Sequence, residues 1–179
     1  MKMRKKPPKL RKQELNRLFL DGLGSVVQYH SDDNSAPLLI DLKHPFSLKL
    51  RVYLFNCTNP PGGRALDEYK FQVILPGQIR GQRASMDYSG GRTPILAAYV
   101  NEGADGVFVL WDANKHEDFS YSANMQVKSE TIIKAFCTPL ARSKRQNKEE
   151  IIAVRPQYLY EAIKCRIEIM KQEILGGMI

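Results

Sequence analysis

The stretch of sequence that decides the fold lies near the middle of the chain and consists of two apolar runs joined by a polar turn. It reads Pro94-Ile95-Leu96-Ala97-Ala98-Tyr99-Val100-Asn101-Glu102-Gly103-Ala104-Asp105-Gly106-Val107-Phe108-Val109-Leu110-Trp111. The turn contains a glycine and ends in the Asp105-Gly106 dipeptide, a combination that is typical of β-hairpins. The stretch therefore predicts an antiparallel hairpin with strands over residues 94–100 and 106–111.

Shorter runs on both sides of this hairpin have the patterns of further strands. In residues 47–56, leucine or valine stands at every second position from Leu48 to Leu54, and charged or aromatic side chains stand between them. Such alternation predicts a strand with one face in the core and the other face at least partly exposed to water. Other strands are predicted over residues 25–30, 37–42, 69–75, 119–121 and 125–128.

Three segments have the periodicity of helices instead. Residues 10–21 repeat leucine and phenylalanine at helical spacing, and glycines follow them. Residues 129–137 begin with Ser129, a favoured helix N-cap. Residues 155–175 carry an apolar stripe formed by Leu159, Ile163, Ile167, Met170 and Ile174. The predicted fold class is therefore α+β, with a central, mostly antiparallel, barrel-like β-sheet, an N-terminal helix and a long C-terminal helix.

The 179-residue chain has a formal net charge of +8, and this excess lies in its two terminal segments. Residues 1–12 contain seven lysines and arginines and no acidic residue, whereas residues 13–140 have a net charge of −2 and residues 141–179 one of +3. The predicted organisation is a disordered basic arm over 1–12, a β-rich recognition domain over 13–140, and a basic linker with a C-terminal helix packed on that domain over 141–179. A basic arm is typical of proteins that bind DNA or RNA. A solvated tail that only aids solubility is an equally weighted alternative.

The composition excludes several classes of protein. With 43% apolar and 26% charged residues, the chain has the composition of a globular domain. Its apolar runs are far shorter than the roughly 20 residues of a membrane-spanning helix, and no apolar stretch follows the basic N-terminus as it would in a secretory signal. Cys57, Cys137 and Cys165 are odd in number and widely spaced, so they signal neither a disulfide framework nor a zinc site. We therefore expect a cytoplasmic protein with free thiols, no membrane association and no bound cofactor.

Three segments carry polar and aromatic residues in combinations that are unusual for a plain scaffold. Segment 56–64 contains two prolines followed by two glycines, which fix an irregular backbone that a ligand can approach closely. Segment 78–92 is rich in arginine and glutamine, which suit guanine and adenine respectively. Segment 115–126 interleaves aromatic residues with Ser, Asn and Gln, a mixture that suits stacking on bases. The predicted DNA contacts are Asn56, Asn59, Arg64, Gln78, Arg80, Gln82, Arg83, Arg92, Lys115, His116, Tyr121, Asn124 and Gln126.

Each of these segments also has a purely structural interpretation. Segment 56–64 could be a turn, since no Gly-Lys-Ser/Thr phosphate motif follows it. Segment 78–92 could be a mobile surface loop. Trp111 and Phe119 fill a core more often than they contact a ligand, and His116 could make a structural hydrogen bond. The sequence leaves these alternatives open and favours the core for the two aromatic residues.

A catalytic alternative rests on three residues in or near predicted strands. Glu68-Tyr69-Lys70 is a Glu-x-Lys triplet at the start of one strand, and Asp41 lies at the end of another. In a PD-(D/E)XK nuclease, carboxylates at such positions bind Mg²⁺ and the lysine orients or activates water. The catalytic residues would then be Asp41, Glu68 and Lys70. The predicted strand over 47–56 intervenes without an acidic residue, whereas that fold normally places its aspartate on the strand paired with the Glu-x-Lys strand.

Two segments together resemble a known family. One runs Phe55-Asn56-Cys57-Thr58-Asn59-Pro60-Pro61-Gly62-Gly63-Arg64 and continues with Asp67-Glu68-Tyr69-Lys70-Phe71-Gln72, and the other combines Trp111-Asp112, His116, Phe119-Ser120-Tyr121-Ser122 and Gln126-Val127. They resemble the methylase-associated domains that accompany DNA methyltransferases and restriction endonucleases in bacterial restriction-modification and defence systems. The resemblance covers about residues 45–135. It implies a DNA-recognition or effector module, often with a barrel-like fold of the B3 or SRA kind. The chain departs from such systems in having no recognisable methyltransferase or HNH segment of its own.

The sequence thus predicts a DNA-binding specificity module of a restriction-modification or anti-phage system. Segments 56–64, 78–92 and 115–126 would form one surface that reads duplex DNA, while the basic arm and residues 142–148 would follow the phosphates. The expected partners are double-stranded DNA and a methyltransferase or nuclease subunit. The alternatives are a Mg²⁺-dependent endonuclease, and an RNA- or protein-binding adaptor whose C-terminal helix docks a partner or forms a homodimer.

Overall fold

The structure, a computed structural model, describes residues 7–59 and 67–177. Helices in these residues are α1 (Lys12–Leu23), α2 (Ser129–Cys137) and α3 (Leu159–Gly176). The strands are β1 (Val27–His30), β2 (Leu38–Leu42), β3 (Lys49–Asn56), β4 (Glu68–Val73), β5 (Arg83–Ala84), β6 (Thr93–Asn101), β7 (Gly106–Trp111), β8 (Phe119–Ser120), β9 (Ala123–Lys128), β10 (Ala141–Lys144) and β11 (Glu150–Val154). None of the helices in this part of the chain is long and apolar enough to cross a membrane.

The main sheet has seven strands in the order β1-β2-β3-β6-β7-β11-β10. Its centre is the predicted hairpin, in which β6 and β7 pair in antiparallel register from Leu96 opposite Trp111 to Asn101 opposite Gly106. All neighbouring strands are antiparallel except β3 and β6, which run parallel. The α+β class, the mostly antiparallel sheet, the N-terminal helix and the C-terminal helix are therefore confirmed.

The predicted barrel is wrong, because the sheet is open and ends in the edge strands β1 and β10. Two of the segments expected to extend the sheet, 69–75 and 125–128, contain β4 and β9, which pair with each other instead. The resulting two-stranded ribbon packs over one face of the main sheet, and helices cover the other face. Both faces are thus buried without closure of the sheet.

The first core fills the space between the sheet and helices α1 and α3. Phe19 of α1 meets Phe108 of β7 edge to face, with ring centroids 5.3 Å apart. Leu159 and Ile163 of α3 are fully buried against the same face of the sheet. The stripe predicted for the C-terminal helix is therefore a packing stripe, although Ile174 near the end of α3 is exposed.

The second core lies between the opposite face of the sheet and a layer formed by α2 and the β4–β9 ribbon. Trp111 is fully buried there, and its indole N–H donates to the backbone oxygen of Gln126 at 3.3 Å. The ring of Phe71 on β4 packs against the indole, with centroids 5.0 Å apart. Phe119 is buried as well, so the core interpretation of both aromatic residues is confirmed.

The N-terminal segment is bonded to the body of the protein shortly before α1 begins. The backbone N–H of Leu10 donates to Oδ1 of Asn56 and the Asn56 amide donates to the Leu10 carbonyl, both at 2.9 Å. The Asn101 amide donates to the carbonyl of Pro8 at 3.2 Å. The last part of the predicted arm thus lies against the ends of β3 and β6, and residues 1–6 lie outside the described residues.

Two helix ends differ from the sequence prediction. Lys128 occupies the N-cap position of α2 and Ser129 is its first helical residue, without a side-chain capping bond. Helix α3 begins only at Leu159, because the preceding residues Pro156–Tyr158 form a 3₁₀ turn.

Residues 142–148, which were predicted as part of the basic linker, begin with a strand. Strand β10 pairs with β11 from Ala141 opposite Ala153 to Lys144 opposite Glu150. Basic side chains are compatible with this position because β10 is an edge strand, where charged residues protect the free backbone edge. Only the tight turn that follows β10 is a loop.

Candidate nucleic-acid interface

The β4–β9 ribbon presents a polar surface to solvent. Its two strands pair without a bulge, from Glu68 opposite Lys128 to Val73 opposite Ala123. Side chains alternate between the two faces of a strand, and the apolar ones on this ribbon point into the second core. The outward positions form three cross-strand pairs, which together we call the ribbon outer face: Glu68 with Lys128, Lys70 with Gln126, and Gln72 with Asn124.

The sequence builds this face by strict alternation. In β4, the half-buried Tyr69 and the buried Phe71 and Val73 alternate with polar residues, and β9 repeats the pattern around Met125 and Val127. Each apolar residue is buried against the main sheet, which fixes the register of the ribbon, since a slip by one residue would expose the whole apolar set. The polar face is therefore held in place by the packing beneath it.

A groove of about 570 Å³ opens at the Glu68–Lys128 end of the ribbon. Its walls are the ribbon, the first turn of α2 and the β10–β11 turn. Its polar lining consists of Glu68, Gln126, Lys128, Glu130, Thr131, Ser143, Lys144, Arg145, Gln146 and Asn147. Lys144 forms no ion pair with a described residue, whereas Lys128 lies 3.5 Å from Asp67. The groove therefore joins the ribbon outer face to a second basic segment.

The β10–β11 turn is held by a buried carboxylate. Glu149 is fully buried, and its two oxygens accept hydrogen bonds from His116 at 2.6 Å and from Arg145 at 3.0 Å. Burial raises the pKa of Glu149, but the hydrogen bonds and charges of His116 and Arg145 outweigh it and hold the pKa below its ordinary value. Glu149 and its two partners therefore hold the β10–β11 turn in place, and this turn forms the basic wall of the groove.

A second, more open cavity of about 680 Å³ lies beside the segment that leads into β9. The short strands β5 and β8 pair here, so segments 78–92 and 115–126 meet, while most of segment 56–64 lies outside the described residues. Arg80 and Tyr121 line this cavity, and no carboxylate of the described residues lies within ion-pair distance of Arg80. Arg83 pairs with Asp118 at 2.8 Å, with both side chains largely exposed.

Several other predicted contact residues have partners within the protein. The Gln78 side chain accepts from the Leu75 N–H and donates to the Gln82 carbonyl, while the Gln82 side chain accepts from the Ile79 N–H. These bonds shape the turn between β4 and β5. The two glutamines therefore stabilise a loop in this structure.

Two further predicted basic residues, Arg92 and Lys115, are also paired. Arg92 lies 2.9 Å from Asp41 and is mostly buried, and Lys115 lies 3.4 Å from Glu173. Asn59 lines a separate cleft of about 200 Å³, together with residues 7–9. Arg64 lies outside the described residues.

The residues of the catalytic alternative lie on two different elements. Asp41 is on β2 of the main sheet, with its carboxylate beside Arg92. Glu68 and Lys70 are on the ribbon outer face, which points away from that sheet. Within residues 7–59 and 67–177, no group of three or more His, Cys, Asp or Glu side chains is placed to hold a metal ion.

Sequence reasoning missed Gln72 and Lys128 as surface residues of one face, and it placed Lys70 only in the catalytic alternative. The alternation that predicted a strand at 69–75 already marked Lys70 and Gln72 as its wetter positions. The missing information was the pairing of β4 with β9. About 50 residues separate these strands, and a local sequence pattern does not predict a pairing over that distance.

Comparison with known proteins gives one match. The family model described as methylase-associated X1 matches residues 48–163, which include the ribbon and the lining of both of its flanking cavities. No curated protein and no solved structure matches the chain. The match confirms the resemblance seen in the two sequence segments, with a longer extent. The chain therefore belongs to the methylase-associated X1 family, a group of methylase-associated domains of restriction-modification systems.

Proposed function

We propose that this chain is a DNA-binding specificity module of a restriction-modification system and that it contacts duplex DNA through the ribbon outer face and the two flanking cavities. The observation that carries the proposal is the distribution of charge on this surface. Lys70, Arg80 and Lys144 form no ion pair within the described residues, and they lie on the ribbon and at its two ends. Such cations gain affinity for DNA by displacing counterions from phosphates.

The dimensions of the ribbon suit this role. Each strand has six residues, so the ribbon is about 17 Å long, which corresponds to about five base pairs of B-form DNA. A two-stranded β-ribbon fits the major groove, which is about 12 Å wide. The cavities at the two ends would then lie beyond the outermost of these base pairs, near the phosphates that flank the site.

The N-terminal arm supports the same placement. Leu10 is bonded to Asn56, and residues 7–9 line the small cleft together with Tyr69 of β4. Residues 7–9 of the basic arm therefore lie beside the ribbon. The lysines and arginines of the arm would add phosphate contacts that do not depend on sequence.

The family implies the second partner. A domain that accompanies DNA methyltransferases is expected to direct a methyltransferase, or a nuclease of the same system, to its site. The proposed contacts with DNA use only protein side chains and require no cofactor.

Fluorescence anisotropy with a random pool of duplex DNA tests the proposal on the full chain. We expect salt-dependent binding by the wild type, and binding at least about tenfold weaker, with a smaller salt slope, for the double variant Arg80→Glu/Lys144→Glu. The matched control is Lys164→Glu/Lys171→Glu, which reverses two charges on α3, on the far side of the main sheet.

Absence of binding by the wild type, or an equal loss in the control variant, would contradict the proposal. Addition of Mg²⁺ to the same samples tests the catalytic alternative. Cleavage that disappears in Glu68→Ala would favour the endonuclease with Asp41, Glu68 and Lys70.

A further inference from the structure

The side-chain amides of the ribbon outer face have no hydrogen-bonding role within the described structure. The side chains of Gln72, Asn124 and Gln126 form no hydrogen bond to a described residue. The Asn56 amide differs, because its oxygen accepts from the Leu10 N–H and its nitrogen donates to the Leu10 carbonyl. Gln72 and Asn124 are exposed, and Gln126 is half-buried beside the groove. Each amide therefore has one donor group and one acceptor group available to a ligand.

We infer that the ribbon outer face reads unmodified adenine in the major groove of duplex DNA. This inference rests on the proposed function and names the bases that it would recognise. An Asn or Gln amide matches adenine in a bidentate manner, because it donates to N7 and accepts from the N6 amino group. Cations nearby supply the charge complementarity that a duplex requires, and Glu68 is the one acidic member of the face.

The spacing of the side chains assigns positions within the site. Successive outward pairs on the ribbon are about 7 Å apart along the strand, which is close to two base-pair steps. The Gln72–Asn124 pair would face one adenine-containing base pair. The Lys70–Gln126 pair would face a base pair two steps away, where lysine suits guanine and glutamine suits adenine.

The same contact makes recognition sensitive to modification of the base. One N6 hydrogen of adenine is used in Watson–Crick pairing, and the other is the donor that the major groove presents to an amide oxygen. A methyl group on N6 replaces that second hydrogen, removes the donor and occupies its space. The ribbon would therefore distinguish an adenine from an N6-methyladenine, which suits a domain that accompanies a methyltransferase.

Selection of bound duplexes from a random pool by the full-length wild-type protein, followed by anisotropy on the selected duplex, tests this inference. We expect selected duplexes to contain adenine, and we expect N6-methyladenine or 7-deazaadenine at that position to weaken binding about tenfold or more. Gln72→Ala/Asn124→Ala should lose this discrimination at the base pair that these two residues face, and it should keep the binding to duplex DNA that does not depend on sequence. Gln172→Ala, an amide variant on α3, should behave as the wild type.

The outcomes separate the inference from the proposed function. If the wild type binds duplex DNA but the double alanine variant keeps the same base preference and the same response to N6-methyladenine, the inference is overturned and the proposed function stands. If the wild type does not bind duplex DNA, both fail. A circular dichroism spectrum unchanged from wild type shows that the exposed substitutions left the fold intact.

Discussion

At the first residue of β7 there is no room for any side chain. A Cβ atom placed on Gly106 would lie 1.9 Å from the hydroxyl oxygen of Tyr99 and 2.1 Å from its ring carbon Cζ. Tyr99 is itself buried in the first core, where its ring centroid lies 4.9 Å from that of Phe108 in a tilted contact. Gly106 thus ends the hairpin turn and also leaves space for the ring of Tyr99 on the opposing strand.

Gly106→Ala should therefore destabilise the protein, because the Tyr99 ring has to move out of a packed core. We expect a loss of about 1–3 kcal/mol in the free energy of unfolding, measured by urea denaturation. Gly176→Ala is the matched control, since no atom lies within 4 Å of a Cβ built there at the end of α3. An equal effect of the two substitutions would contradict the steric account.

The predicted contact residues divide into two groups: those whose polar groups are already bonded within the protein and those that remain available to a ligand. Gln78, Gln82 and Arg92 have the residue types of base or phosphate contacts, but local turns and an ion pair use their polar groups. Residue type alone does not reveal whether a protein partner is already present. Asn124 and Gln126 remain available because they stand on the outward side of a strand.

At the scale of elements, the β10–β11 turn depends on one ionised group. The pKa of Glu149 in the folded state lies below its ordinary value of 4.5. At a pH between the folded-state pKa and 4.5, the unfolded chain therefore binds more protons than the folded chain. The contribution of Glu149 to stability is therefore present above about 4.5 and is lost as the pH falls through the folded-state pKa.

Glu149→Gln should lower the free energy of unfolding near neutral pH, and the difference from wild type should shrink as the pH falls below 4.5 and through the lowered folded-state pKa. Urea denaturation at several pH values measures this difference. Glu117→Gln, at an exposed glutamate near His116, is the control and should leave the free energy of unfolding close to that of the wild type. A difference that stays constant from neutral to acidic pH would contradict the assignment of Glu149 as an ionised anchor.

The elements also show how far the sequence could predict the fold. The β6–β7 hairpin was predictable because its strands and turn are contiguous, and the terminal helices because their apolar stripes are local. The β4–β9 ribbon was not predictable, because the whole β6–β7 hairpin lies between its two strands in the sequence. The barrel prediction was wrong for the same reason, because these two strands were counted as part of the main sheet.

At the scale of the whole molecule, the layers separate the proposed DNA-binding surface from the rest of the protein. Helices α1 and α3 cover one face of the main sheet, and α2 with the ribbon covers the other. The buried Arg166 of α3 links the two sides. It contacts the carboxylate of Asp112 at 3.4 Å and donates to the carbonyl of Glu150. The ribbon and most of α3 thus lie on opposite sides of the main sheet, and only the end of α3 reaches segment 115–126, where Glu173 pairs with Lys115.

The layered arrangement allows direct contact between the ribbon outer face and duplex DNA to be tested. A photo-crosslinking amino acid would be placed at Gln126 on the ribbon, and in a second protein at the exposed Asp21 on α1, and each protein would be irradiated with labelled duplex DNA. We expect a crosslinked band from position 126 and none from position 21. Equal crosslinking from both positions, or crosslinking from position 21 alone, would contradict contact between the ribbon outer face and duplex DNA.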